Sequence, residues 1–167
     1  MKKPYLILAV SLAAASGNAQ AHGGARHDSP AVPIVKEQKP WGVAGEADRV
    51  GRTVSIRMTD AMRFEPDTLQ IRQGETVRLI LRNDGRMMHE MVIGTHAALA
   101  EHAEAMRKFP GMEHDEAYMA HVSQGRQGEI LWHFNQAGEF GFACLIPGHY
   151  EAGMRGRIVV KPQTIPE

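Results

Sequence analysis

The sequence predicts an all-β chain folded as an antiparallel sandwich. Short apolar runs alternate with polar residues at a period of two, Gly, Pro and Asp punctuate them, and one segment alone has helical composition. Alternation of that kind places one face of each sheet in the core and leaves the other for water.

The elements follow in order. Residues 1–21 read as a secretory signal peptide: Lys2 and Lys3, the apolar run from Tyr5 to Ala15, then the small residues of Ala19-Gln20-Ala21. The mature chain is expected to begin at His22 and to be delivered to the periplasm, with no later run of about 20 apolar residues to span a membrane. Residues 22–48 are rich in Gly, Pro and charge and read as a flexible arm. The domain is expected over 49–167. "RTVSIRM" offers Val54, Ile56 and Met58 to one face, "DTLQIR" offers Leu69 and Ile71, and "ETVRLILR" offers Val77, Leu79 and Leu81. Later runs are "EILWHF" with Ile130, Trp132 and Phe134, "EFGFAC" with Phe140, Phe142 and Cys144, and "GRIVVK". His96 to about Gln124 is the exception. Its Ala, Glu and Met predict a short helix ending before Pro110 and a second helical or irregular piece, inserted between two strands.

Removing the 21-residue signal leaves 146 residues, enough for one domain with a core. The mature chain carries 17 Lys and Arg against 19 Asp and Glu, which excludes the basic surface that nucleic acid or an anionic membrane demands. A monomer is the expected state. The unusual feature is nine His and ten Met beside a single Cys. Exported proteins keep cysteines in pairs, so one thiol calls for another use.

That thiol stands in "FACLIPGHYEAGMRG". His149 follows Cys144 by five residues and Met154 follows His149 by five, with Pro147, Gly148 and Gly153 turning the chain between them. A thiolate, an imidazole and a thioether on one loop are most of a blue-copper site, which takes two His and one Cys in a plane and a distant Met on the axis. The second imidazole comes from elsewhere, and His89 in "RNDGRMMHEMVIG" is the candidate. The rival use of Cys144 is as a nucleophile with His149 as its base. Phe142, Leu145, Ile146 and Pro147 surround it with apolar groups and supply no oxyanion hole.

From about Val54 to Val160, apart from the insertion, "MRFEPDTLQIRQGETVRLILRN", "MHEMVIG" and "FACLIPGHYEAGMRGRIVV" together resemble a cupredoxin, closest to the periplasmic cupredoxins associated with copper tolerance. The resemblance implies a Greek-key β-sandwich with one type 1 copper at its end, His89 on an interior strand and Cys144, His149 and Met154 on the final loop. It also implies that His149 lies near the surface and carries the electron in and out. Many members have Asn or Asp directly after the first His ligand, where it helps lock the ligand loop. This chain departs from that pattern with Glu90.

A second set of soft donors lies in the insertion: His96, His102, Met106, Met112, His114, Met119 and His121, with Met87, Met88 and Met91 around His89. Met and His suit Cu(I), so additional copper is a candidate use and packing of the Met residues is the alternative. His22, as a first residue, offers an amine and an imidazole to Cu(II), with His27 nearby. Two functions fit. One is copper tolerance, in which the protein binds copper and cycles it between Cu(I) and Cu(II), with oxidation of Cu(I) or its transfer onward as candidate further steps. The other is a mobile electron carrier for a redox partner, docking through Leu145, Ile146, Pro147 and Tyr150. A single type 1 site does no substrate chemistry, so an enzyme is not expected.

Overall fold

The computed structural model of the chain describes residues 36–110 and 115–163. It contains ten strands and one α-helix: β1 (Val43–Ala44), β2 (Arg52–Thr59), β3 (Arg63–Glu65), β4 (Thr68–Arg72), β5 (Glu75–Asn83), β6 (His89–Gly94), α1 (His96–Lys108), β7 (Met119–Val122), β8 (Gln127–Phe134), β9 (Gly138–Ala143) and β10 (Arg155–Lys161). They form two five-stranded sheets, ordered β1-β8-β5-β2-β3 and β4-β10-β9-β6-β7. The chain is a Greek-key β-sandwich with a short helical insertion.

The period-two faces meet as the sequence predicts. Ile56, Met58, Val77, Leu79, Leu81, Ile130, Trp132 and Phe134 from one sheet share a core with Leu69, Ile71, Phe140, Phe142, Ile158 and Val160 from the other. Phe64 and Phe142 cross it edge to face, with ring centroids 5.0 Å apart. The sheets are not antiparallel throughout. β2 pairs with β5 in parallel, and β4 with β10. Between β2 and β5 the chain runs through β3 and through β4 of the opposite sheet, so it returns to its neighbour in the same direction. Side-chain alternation is blind to strand direction, and the crossover sets it.

α1 covers the outer face of the second sheet. Thr95 caps it, its hydroxyl oxygen accepting from the Ala98 N–H at 3.1 Å, and Arg107 and Lys108 occupy the last turn. Leu99, Ala103 and Met106 pack on Val92, Met119, Ala143 and Leu145 to make a second core. A Cβ at Gly141 would come within 2.9 Å of Leu99 Cδ1 and 3.3 Å of His96 Nδ1, which shows how closely the helix lies over β9. This cover buries Val92 on the outer face of β6, a strand buried along its whole length. Leu99→Ala is expected to cost about 3 kcal/mol, read as a lower urea midpoint at unchanged slope.

Two boundaries differ from those expected. Residues 119–122, read as part of the insertion, are a strand on the sheet edge paired with β6. Four residues with one polar side chain among them are too short for periodicity to declare them. Part of the supposed arm also belongs to the sandwich. β1 pairs with β8, Trp41 is buried, and its carbonyl accepts from Trp132 Nε1 at 2.8 Å. One tryptophan anchors there what composition alone marks as mobile. The signal segment lies outside the described residues.

Candidate metal centre

One end of the sandwich brings together the residues that 55 positions of sequence separate. His89 opens β6, and Cys144 follows directly on β9. The loop from Cys144 to Met154 folds back through its own backbone: Cys144 N–H donates to Met154 O at 3.0 Å, Met154 N–H to His149 O at 3.0 Å, and His149 N–H to Ile146 O at 2.9 Å. Gly148 and Gly153 take the positive φ values of 90° and 92° that these reversals require. The Arg63 guanidinium on β3 donates to Ala152 O at 3.1 Å and pins the loop from the other sheet.

The result is a compact donor set. One ligand atom each from His89, Cys144 and His149 lie within 4.8 Å of one another. Cys144 Sγ is 3.3 Å from His149 Nδ1, and the two imidazole centroids are 5.0 Å apart. Met154, 0% exposed, is tied into the same loop and packs in the main core beside Cys144. His149 is 9% exposed and is the member nearest to solvent.

Asp60, on the turn after β2, orients His89. Its carboxylate accepts from the Arg86 N–H at 2.8 Å and from the Met87 N–H at 3.3 Å, and its Oδ1 lies 3.2 Å from His89 Nε2. The Arg86 N–H, with lesser help from Met87 and His89, holds the Asp60 carboxyl below its ordinary range. A carboxylate at Nε2 assigns the proton to that nitrogen and leaves Nδ1 free to ligate. His89 Nδ1 is buried and has no hydrogen-bond partner, as a metal-facing nitrogen should be. Asn83 secures the approach to His89, donating to Met87 O at 2.7 Å and to Val122 O at 2.8 Å.

Burial pushes the Cys144 thiol up to about 12, although the Glu90 and Ile146 backbone N–H groups donate toward the sulfur. Burial, with His89 beside it, lowers His149. A sulfur whose bare thiolate is costly to bury, set among two imidazoles and a thioether, suits a cation that takes the proton's place. The donor set fits copper. A nucleophilic Cys144 would instead need a lowered thiol and access to substrate, and it is 0% exposed.

Glu90 takes over the lock that the resemblance assigns to Asn or Asp. Its carboxylate oxygen Oε1 accepts from the Leu145 N–H, next to Cys144, at 2.8 Å. Asp60, Asn83 and His121, which contacts Glu90 Oε2 at 2.7 Å, complete the surroundings. The sequence signals none of the three roles except through the turn residues of "RNDG" ahead of His89.

Among the described residues, the His of the second donor set form no cluster of three or more metal-ligating groups. Met106 and Met119 are buried in the packing of α1 on the sheet, which is the alternative use foreseen for them. His96 lies on the first turn of α1 and His102 on its second, while His121 faces Glu90. Among the described residues, His89, Cys144 and His149 form the one cluster of three or more His, Cys, Asp or Glu able to hold a metal ion. His22, His27, Met112 and His114 lie outside the described residues. Of the methionines near His89, Met91 is core, while Met87 and Met88 are exposed. Leu145 is also core, so the apolar surface beside His149 is reduced to Ile146, Pro147 and the half-buried Tyr150.

Comparison with known proteins agrees with this geometry. Residues 51–161 match the profile of the copper-binding proteins of the plastocyanin/azurin family. The chain is 44% identical to the copper-resistant cuproprotein CopI of Rubrivivax gelatinosus, over 95% of this chain and 96% of that one. It is 30% identical to the protein of the same description from Vibrio cholerae, over 92% and 96%. Among solved structures, the dithionite-reduced auracyanin of Roseiflexus castenholzii superposes with a TM-score of 0.59 at 18% identity, covering 68% of this chain and 99% of that one. No described helix is long and apolar enough to cross a membrane.

Proposed function

Because the chain belongs to the plastocyanin/azurin family of copper-binding proteins, we propose that it is a periplasmic type 1 copper protein of copper tolerance. It holds copper through His89, Cys144, His149 and Met154. The observation that carries the reading is the convergence of two imidazoles and one buried thiol within 4.8 Å, with one imidazole nitrogen left without a partner. The tolerance role is supported by the CopI relatives, which match over nearly their whole length.

Copper bound there supplies a one-electron Cu(I)/Cu(II) couple, for which thiolate and thioether favour the first state and imidazole accepts both. The chain's residues keep the donor positions fixed in either state. The loop's own backbone bonds hold Cys144 against Met154, Asp60 holds His89, and the core excludes water from the sulfur. His149, the least buried of the four donors, offers the edge through which an electron would enter or leave.

The electron-carrier reading rests on the same site and lacks one support: the apolar docking face loses Leu145 to the core. Titration of the mature metal-free protein with Cu(I) and with Cu(II) is expected to show a tight equivalent that is unchanged when His96 and His102 are replaced by Ala. Deleting the gene from its host is expected to lower the copper concentration that stops growth. Unaltered tolerance after deletion rejects the tolerance role and leaves the carrier.

A further inference from the structure

We propose that His121 is a positioning residue for the copper centre, acting through Glu90 on the peptide that follows Cys144. The proposal rests on the copper reading of the site and extends it from the donor loop to the edge of the sheet.

β7 is the edge strand of the second sheet, and its register on β6 sets His121 directly opposite Glu90. Alternation sends His89 and Met91 toward the interior and Glu90 and Val92 to the outer face, where Met119 and His121 lie on the neighbouring strand. α1 covers the Val92 and Met119 end of that face. The Glu90 and His121 pair is the next one along, beside the metal centre.

Glu90 is 0% exposed and touches the site at two points. Its Oε1 accepts from the Leu145 N–H at 2.8 Å, and its own backbone N–H donates toward Cys144 Sγ. Its other carboxylate oxygen lies 2.7 Å from His121 Nε2, on a side chain that is 37% exposed. One side chain therefore joins a ring at the surface to the amide adjoining the copper thiol.

The chemistry of Glu explains why a second anchor is needed. Compared with Asn or Asp it has one more rotatable bond, and a single bond to Leu145 leaves that torsion free to swing. His121 limits that freedom by setting Nε2 2.7 Å from the second oxygen, a close contact at a buried carboxylate oxygen that otherwise has no hydrogen-bond partner. The hydrogen-bonding surroundings of a ligating sulfur set its geometry and tune the metal's potential, so a looser Glu90 is felt at Cys144.

The test compares His121→Ala with His121→Gln, whose amide N–H restores a donor, at one fixed pH. In the metal-free protein, amide hydrogen exchange at Leu145 is expected to quicken at least tenfold in the Ala variant and to return toward the parent rate in the Gln variant. In the copper-loaded protein, the Ala variant is expected to shift the sulfur-to-copper absorption band. It should also change the ratio of Cu(II) to Cu(I) dissociation constants about threefold, again with recovery in Gln. Parent-like exchange and potential in His121→Ala overturn the proposal. So does equal impairment of both variants, which marks damage to the strand rather than loss of a donor. Exchange that responds in a protein that takes up no copper supports the linkage from His121 to Leu145 and overturns the copper reading.

Discussion

Cys144→Ser is expected to abolish the intense visible absorption of the copper-loaded protein and to weaken copper binding by more than about 100-fold, the upper range for losing only an outer-shell partner. The band requires a copper-thiolate bond, and a buried serine hydroxyl is a hard donor whose proton is far harder to remove. The fold should survive the exchange. Serine is slightly smaller than cysteine, and the Glu90 and Ile146 backbone N–H groups that point at the sulfur can donate to a hydroxyl oxygen instead. A thermal melt of the metal-free variant within a few degrees of the parent, beside a colourless copper-loaded sample, checks both halves. Colour that persists rejects Cys144 as the ligand.

The candidate site is legible in the sequence because its chemistry is local. Cys144, His149 and Met154 lie on one loop, and only His89 had to be found at a distance, where a turn leads into an apolar strand. What supports the site is non-local and was not legible. Asp60 reaches His89 across 29 positions, and His121 meets Glu90 only because β7 pairs with β6. The strands with clear alternation were equally plain, whereas β1, β3 and β7 have two to four residues each, too few for a period to show. Met106 and Met119 illustrate the ambiguity of soft side chains. A thioether reads as a copper donor or as packing until a helix is seen to lie over it.

The thiol also gives the protein a distinctive response to pH. In the metal-free state Cys144 is raised from the ordinary 9.0 to about 12 by burial, so between those values the folded chain holds a proton that the unfolded chain has lost. The stabilisation is complete below pH 9 and is lost as the pH rises through the folded value, amounting to roughly 4 kcal/mol by pH 12. Tyr118, also raised by burial, contributes in the same direction, so the difference between the parent and Cys144→Ser isolates the thiol. Urea midpoints at pH 8, 9 and 10 should fall in the parent and fall less in the variant. Copper makes the complementary prediction. Binding requires the thiolate and expels its proton, so the apparent affinity should rise tenfold per pH unit between pH 7 and 9. His149, lowered by burial, is already neutral there and adds no proton to the slope. Competition against a chelator of known protonation measures that slope. A value near one identifies Cys144 as the group that copper deprotonates, while a slope near zero means that the Glu90 and Ile146 N–H groups already hold a thiolate in the metal-free protein.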